Sequence, residues 1–330
     1  MIKPGDGWSY EKIAVTLHLV KQKDDAMKQK EIIMGHATIL AANVMWGLMS
    51  PIGKDALNSP DIRPLALTGL RIVGAALLFW LGGLCLPKSV APKEKIERKD
   101  CLPMIIAALL ITFANQICVI FGMSMTSPVD ATVMCSTTPF FTLILVWILW
   151  GEKHHWMKIL GVVSGFSGML VFIWGGNKDA GMNVSNPLLG NLLCVASQVF
   201  GAIYMVKYAY LTRKYSPYTL MKWLFTASGI LMLIVSGPDI VATKWSTIPT
   251  GTLLEVGYVV VFGTFIAYVL LPMGQRVLMP TSIAMYNYLQ PIVAAVFSVL
   301  IGVATITTST IIGSTLIFAG VAMVNRKYMA

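Results

Sequence analysis

Apolar and polar positions alternate in long blocks rather than singly. Ten apolar stretches stand out, near residues 35–56, 64–86, 102–123, 129–150, 156–174, 187–209, 217–236, 252–273, 281–301 and 306–325. Each is close to the ~20 residues a helix needs to cross the hydrocarbon layer. Several connections are very short, such as 124–127 and 302–305, which leaves no room for a sizeable soluble domain. The pattern predicts an all-α integral membrane protein with ten transmembrane helices. Composition agrees: 56% of residues are hydrophobic and 12% charged, with a mean hydropathy of +0.72, outside the range of an ordinary soluble domain.

The second half of the chain repeats the first at a shift of 152 residues. Without a gap, Pro128 falls on Pro280, Pro139 on Pro291, Gly122 on Gly274, Gly161 on Gly313 and Gly168 on Gly320, while Thr112, Phe113, Ile159 and Phe166 meet identical partners at 264, 265, 311 and 318. Most of these matches are Gly or Pro, residues that dictate backbone shape, so the repeated object is a fold unit. Each unit holds five spans. An odd number of crossings makes the second copy enter from the opposite side, which predicts two inverted five-helix repeats, 35–174 and 187–325, behind an N-terminal tail, 1–34.

Charge adds orientation. Of the 25 Lys and Arg, six precede the first span and five lie in 88–99. With both termini cytoplasmic, the outside loops carry only Lys54, Arg63, Lys178 and Lys244. That asymmetry predicts both termini inside. It also accounts for the net charge of +10 through anionic lipid, without nucleic acid. The start of the chain lacks a cleavable signal pattern. Residues 1–26 read either as a disordered cytoplasmic tail or as sequence ahead of a start at Met27 or Met34. The five Cys (85, 101, 118, 135, 194) have no metal-site or redox spacing and read as small packing residues.

Three blocks together carry a family resemblance. Span 1 ends A-A-N-V-M-W-G-L-M-S-P, and span 2 carries an early arginine in L-T-G-L-R-I-V-G-A-A-L-L-F. The third block runs from Gly122 through Pro128, Pro139 and Gly151-Glu152 to G-V-V-S-G-F-S-G. Over residues 35–325 the chain resembles the drug/metabolite transporter superfamily, in particular its ten-helix EamA-type members. Ala304 stands where the first copy has Glu152, a departure that weakens any role for Glu152. The resemblance implies a secondary transporter of small metabolites, with export and amino acids as the expected direction and class.

The residues offer a candidate site. Pro139 and Pro291 fall near the middle of spans 4 and 9, where a proline kinks a helix and frees the carbonyl four residues earlier, at Cys135 and Asn287. Such carbonyls need a partner or a watery cavity. Span 9 is the most polar, with Tyr286, Asn287 and Gln290 before its proline. Alongside it stand Asn43 and Trp46 on span 1, Asn115 and Gln116 on span 3, Gln198 on span 6 and Tyr268 on span 8. These supply neutral donors, acceptors and aromatic faces for an amphiphilic solute, or else hydrogen bonds that merely glue the bundle. Tyr204 lies on another face of span 6 from Gln198, so at most one of the two is expected to face a cavity.

Charged intramembrane residues are few. Arg71 and Lys222 occupy matched places at a shift of 151, deep enough to notice and shallow enough to snorkel. They read as interfacial anchors that both repeats need, or as attractors of an anionic group. Asp130 follows Ser127-Pro128 as a helix cap. Glu255, near the outer mouth of span 8, is the best carboxylate for proton coupling, while His36, His154 and His155 sit at inner mouths and loops. Gly161, Gly165 and Gly168 on span 5, with Gly313 and Gly320 on span 10, form small-residue faces for scaffold packing or a homodimer. The chain lacks metalloprotease, phosphate-loop and nucleophile-elbow motifs, so no enzyme, cofactor or metal is expected. The partners expected are a small-molecule substrate and the lipid bilayer. Within the transporter class the alternative is a carrier of phosphorylated solutes or nucleotide sugars. A membrane-embedded enzyme or receptor is the disfavoured class.

Overall fold

The computed structural model describes residues 10–87, 90–150, 156–175, 185–208, 210–277, 286–287, 289–302 and 308–325. Every regular element among them is helical: α1 (Tyr10–Asn58), α2 (Pro64–Cys85), α3 (Arg98–Met125), α4 (Pro128–Cys135), α5 (Thr138–Trp150), α6 (Trp156–Gly175), α7 (Pro187–Lys207), α8 (Tyr210–Lys214), α9 (Pro217–Ala242), α10 (250–277), α11 (Leu289–Leu300) and α12 (Thr308–Asn325). Among the described residues seven helical stretches are long and apolar enough to cross a membrane, and two shorter apolar helices follow at Leu289–Leu300 and Ile311–Gly320. Their outward faces carry large apolar side chains such as Leu84, Ile230, Ile234, Val241 and Leu254. Such a surface is stable only against lipid.

Local chemistry sets the helix ends. Pro64, Pro128, Pro187 and Pro217 each open a helix, where the missing N–H has no partner to lose. Ser127 Oγ accepts the Asp130 N–H at 3.0 Å and Ser216 Oγ accepts the Thr219 N–H at 3.2 Å. Two sequence expectations change at the N-terminal side. The supposed tail continues α1 back to Tyr10, because residues 10–34 contain neither Gly nor Pro and are rich in good helix formers. Lys54, expected in an outside loop, lies inside α1, 2% exposed, and donates to the Ser124 carbonyl at 2.7 Å.

The 152-residue shift reappears in the backbone. Both α3 and α10 contain a π-helical stretch, Leu109–Ala114 and Val261–Ile266, whose first and last residues coincide under that shift. The α-helical stretches flanking them, Arg98–Ala108 with Thr250–Val260 and Asn115–Met125 with Ala267–Val277, coincide in the same way. Contacts are reciprocal too. A methyl group on Gly168 would meet the Gly313 carbonyl at 2.7 Å, and one on Gly320 would meet the Gly161 carbonyl at 2.5 Å. Gly122 presses on Gly190 and Cys194 as Gly274 presses on Gly35 and Ile39. Ser164 Oγ donates to the Leu316 carbonyl, its own position shifted by 152. Position i thus meets j′ as j meets i′, so the contacts between the halves come in equivalent pairs. The glycine faces of α6 and α12 thus face each other within one chain, so a homodimer through these helices would have to use their outer faces.

The expected mid-helix kinks are full breaks. Pro139 and Pro291 both stand in the first turn of a new helix, α5 and α11, where proline is tolerated instead of costing about 3 kcal/mol in a helix interior. Ahead of α5 the chain tightens, with Ser136 N–H on the Val133 carbonyl and Thr137 N–H on that of Met134. The Asn287 carbonyl is not freed either: it accepts the Gln290 N–H at 3.4 Å.

A polar clamp ties the halves at one end of the bundle. Lys214 Nζ meets Glu97 Oε1 at 2.8 Å and Asp100 Oδ2 at 2.5 Å, and the Tyr215 hydroxyl donates to the same Asp100 oxygen at 2.6 Å. Lys214, helped by Lys99, holds the Glu97 carboxyl below its ordinary range. Asp100 and Glu97 in turn hold the Lys214 ammonium above its own. A depressed carboxyl contributes stability above its unfolded pKa and loses it as pH falls through the folded value; a raised ammonium does the reverse at alkaline pH. The clamp is therefore complete between the ordinary glutamate and lysine ranges. Lys214→Met should lower the melting temperature of the detergent-solubilised protein at neutral pH, and the deficit should shrink on acidification below about pH 4. A deficit independent of pH would show that Lys214 acts through packing alone.

Candidate functional site

Two sets of polar contacts lie inside the bundle, linked by α1. In the first, Gln290 Nε2 donates to Asn43 Oδ1 at 2.6 Å, and Asn43 Nδ2 donates to the Ile39 carbonyl at 2.9 Å. Asn43 is completely buried. The Tyr286 hydroxyl shares a 2.9 Å hydrogen bond with His36 Nδ1. Tyr286 and Gln290 thus meet α1 at positions two turns apart. Asn287, half-buried, enters through its carbonyl.

Broken helices take part at matched positions. Gln290 and Thr138 are equivalent under the 152 shift, and the glycine contacts above align Asn43 of α1 with Gln198 of α7. Thr138 Oγ1 donates to Gln198 Oε1 at 2.5 Å, so each broken segment hydrogen-bonds an amide on the first helix of the other half. Gln198 Nε2 continues to Ser197 Oγ at 2.6 Å, and Asn115 Nδ2 donates to the Ser197 carbonyl at 2.6 Å.

The second set surrounds Tyr268. Gln116 Nε2 lies 3.0 Å from the Tyr268 hydroxyl, a bond between two positions equivalent under the 152 shift. Trp46 and Tyr268 meet edge to face, centroids 5.6 Å apart, and the Trp46 indole N–H donates to the Gly263 carbonyl at 3.0 Å. That carbonyl and the Thr264 hydroxyl belong to the π-helical stretch, where Thr264 Oγ1 reaches back five residues to the Val259 carbonyl. Irregular turns of this kind cluster at functional sites because they re-aim side chains.

Arg71 belongs here and is the largest correction to the sequence reading. It does not snorkel to an interface. It is 2% exposed, and its Nε donates to Thr264 Oγ1 at 2.6 Å. The supposed match with Lys222 also dissolves. Counted from the prolines that open α2 and α9, Arg71 is the eighth residue of its helix and its counterpart is Leu224. There the Thr112 hydroxyl, equivalent to that of Thr264, donates to the Leu224 carbonyl at 3.2 Å and pairs with Ser228 Oγ at 2.7 Å. Lys222 lies apart, its ammonium 3.5 Å from the centre of the Trp80 ring, a cation–π anchor.

The remaining candidates separate. Glu255 sits against Asp55 near the start of α10, nine residues and so about 13 Å along the helix from Thr264. It does not join the Tyr268 cluster. Glu152, His154 and His155 lie outside the described residues. Tyr204 and Gln198 are both 7% exposed, so both point inward, Tyr204 into the buried cluster against which Tyr268 packs and Gln198 toward Thr138. Sequence reasoning missed Thr264, Thr138 and Ser197, ordinary hydroxyls whose only signal was proximity to the matched Thr112/Thr264 and Pro139/Pro291 positions.

An all-helical bundle with matched halves, apolar outer faces and buried polar groups on broken helices defines a small membrane transporter. The comparisons agree: residues 33–174 and 188–326 each match the EamA-like transporter family, and the chain belongs to it. It is 26% identical over 304 residues to the uncharacterized transporter YvbV of Bacillus subtilis, covering 87% of this chain and 90% of that one. It is 23% identical over 312 residues to the uncharacterized inner membrane transporter YedA of Escherichia coli K12, covering 92% and 94%. A solved crystal structure superposes with a TM-score of 0.59 at 17% identity, covering 89% of this chain and 96% of that one.

Proposed function

We propose that the protein is a secondary transporter of the cell inner or plasma membrane that exports amino acids or related small metabolites. It works by alternating access between ten spans arranged as two inverted repeats, with both termini cytoplasmic. The observation that carries this reading is the pair of equivalent hydrogen bonds, Gln290 to Asn43 and Thr138 to Gln198, each made by a broken helix on the opposite half. A twofold-related pair is what alternation requires: one contact opens while its mate stays closed, at nearly equal energy. The amides, the Trp46 and Tyr268 rings and the lack of a basic cluster around them among the described residues suit a small amphiphilic solute better than a phosphorylated one.

Proteoliposomes offered labelled amino acids, with and without a pH gradient, test the reading. Saturable flux of at least one is expected, and flux no greater than in empty liposomes across the panel would overturn it. Topology is checked separately. A cysteine at Lys95 should stay unmodified by an impermeant thiol reagent in intact cells and react in inverted vesicles; modification in intact cells would reverse the orientation.

A further inference from the structure

Among the described residues four buried side-chain polar atoms have no hydrogen-bond partner: Arg71 Nη1, Gln116 Oε1, the Tyr204 hydroxyl and Ser298 Oγ. Three of the four belong to residues around Tyr268. Gln116 is bonded to its hydroxyl, Arg71 is bonded to Thr264 on the same helix, and Tyr204 belongs to the buried cluster against which Tyr268 packs. Unpaired buried polar groups are rare because each costs about 1–3 kcal/mol, more when charged. Three at one place mark a site whose partner is not protein.

The charged member is the most telling. The ionisable groups facing Arg71 are Tyr268 and Cys135, a phenol and a thiol, and no carboxylate among the described residues pairs with it. A guanidinium this deep is strongly destabilising unless an anion compensates it. The fold does not demand it either, since Leu224 occupies the equivalent place. Trp46 is asymmetric in the same way: the α7 position aligned with it is Gly201. Arg71 and Trp46, with no like residue at the equivalent place, both belong to the group around Tyr268.

We infer that Arg71 binds the carboxylate of the transported solute, with Gln116 Oε1 accepting from its ammonium or another N–H group and Tyr204 completing the polar wall. The inference rests on the transport reading above and narrows it to zwitterionic or monoanionic metabolites carrying one carboxylate. A guanidinium presents N–H donors in the plane of a carboxylate, and the free acceptor on Gln116, which bonds Tyr268, matches the cationic end of an α-amino acid. A phosphate dianion would call for a second cation, whereas Lys222 is held over Trp80 and Lys54 on the Ser124 carbonyl. Trp46 and Tyr268 leave an aromatic wall for the apolar part of the solute.

The test uses the purified full-length protein in detergent, with thermal unfolding as readout. The probes are the twenty L-amino acids, the amino alcohols of those that bind, and glucose 6-phosphate. At least one amino acid should raise the melting temperature of the wild type, its amino alcohol should be at least about tenfold weaker, as loss of a charge-assisted bond implies, and the sugar phosphate should have no effect. Arg71→Met should abolish the response while leaving the ligand-free melting temperature equal or higher, because it removes an uncompensated charge. A purely structural arginine would not give that combination. Arg71→Gln serves if the Met variant is not obtained folded.

An amino alcohol as effective as its acid, a wild type unmoved by every amino acid, an undiminished response in Arg71→Met, or a lower ligand-free melting temperature in both variants would each overturn the assignment. The two readings fail separately. Saturable flux of a solute without a carboxylate, with no amino acid bound, would sink only the Arg71 assignment. Carboxylate binding without flux of any tested solute would sink only the transport reading.

Discussion

Gly320→Val should lower the melting temperature of the purified protein by about 5–10 °C and reduce the yield of monodisperse protein sharply. A Cβ at this position would stand 2.5 Å from the Gly161 carbonyl oxygen and 2.7 Å from the Gly165 nitrogen. Both are backbone atoms of α6, so no rotamer change relieves the clash, and the two helices must separate. In lipid, close approach is itself the source of helix association, since the surrounding chains are as apolar as the side chains. Gly257→Ala is the control: nothing lies within 4 Å of its added methyl group, and the gain in helix propensity should raise stability slightly. Equal melting temperatures for Gly320→Val and wild type would mean that α6 and α12 are not packed as described.

Gln290→Ala should reduce transport by about 10- to 100-fold per folded molecule, the range expected when a buried acceptor loses its partner at a functional contact. Asn43 keeps its bond to the Ile39 carbonyl within α1, and α1 stays tied to α10 by the Trp46 bond to the Gly263 carbonyl, so insertion should be unaffected. The equivalent substitution, Thr138→Val, breaks the contact to Gln198 and should impair the opposite half of the cycle. A glue role has a different signature: both variants would melt at lower temperature and transport normally per folded molecule. Flux measured alongside thermal melting separates the two.

How much of this was legible in the chain depends on which physical signal a feature leaves. The seven spans found among the described residues were legible because lipid imposes length and apolarity directly, and the repeated unit because Gly122, Pro139 and their mates fix backbone shape. The π-helical turns were silent: hydrogen bonds to the fifth residue back leave no propensity or periodicity. The prolines pointed to the right places with the wrong consequence, since a helix that restarts and one that bends share the same residue. The depth of Arg71 was misread for a related reason. Depth counted from a span edge takes no account of the helix packed across it, and matching by charge type paired it with Lys222, whereas the opening prolines pair it with Leu224. The polar cluster was legible residue by residue. Which residues meet depends on register between helices far apart in sequence, as between Asn43 and Gln290.

Solute counterflow tests alternating access most directly. Proteoliposomes preloaded with an unlabelled substrate and diluted into a trace of the labelled one should accumulate label transiently above equilibrium, and Gln290→Ala should flatten the overshoot. Entry of label that rises linearly with concentration and ignores the solute inside would contradict the account, because a pore has no binding site that must return across the membrane.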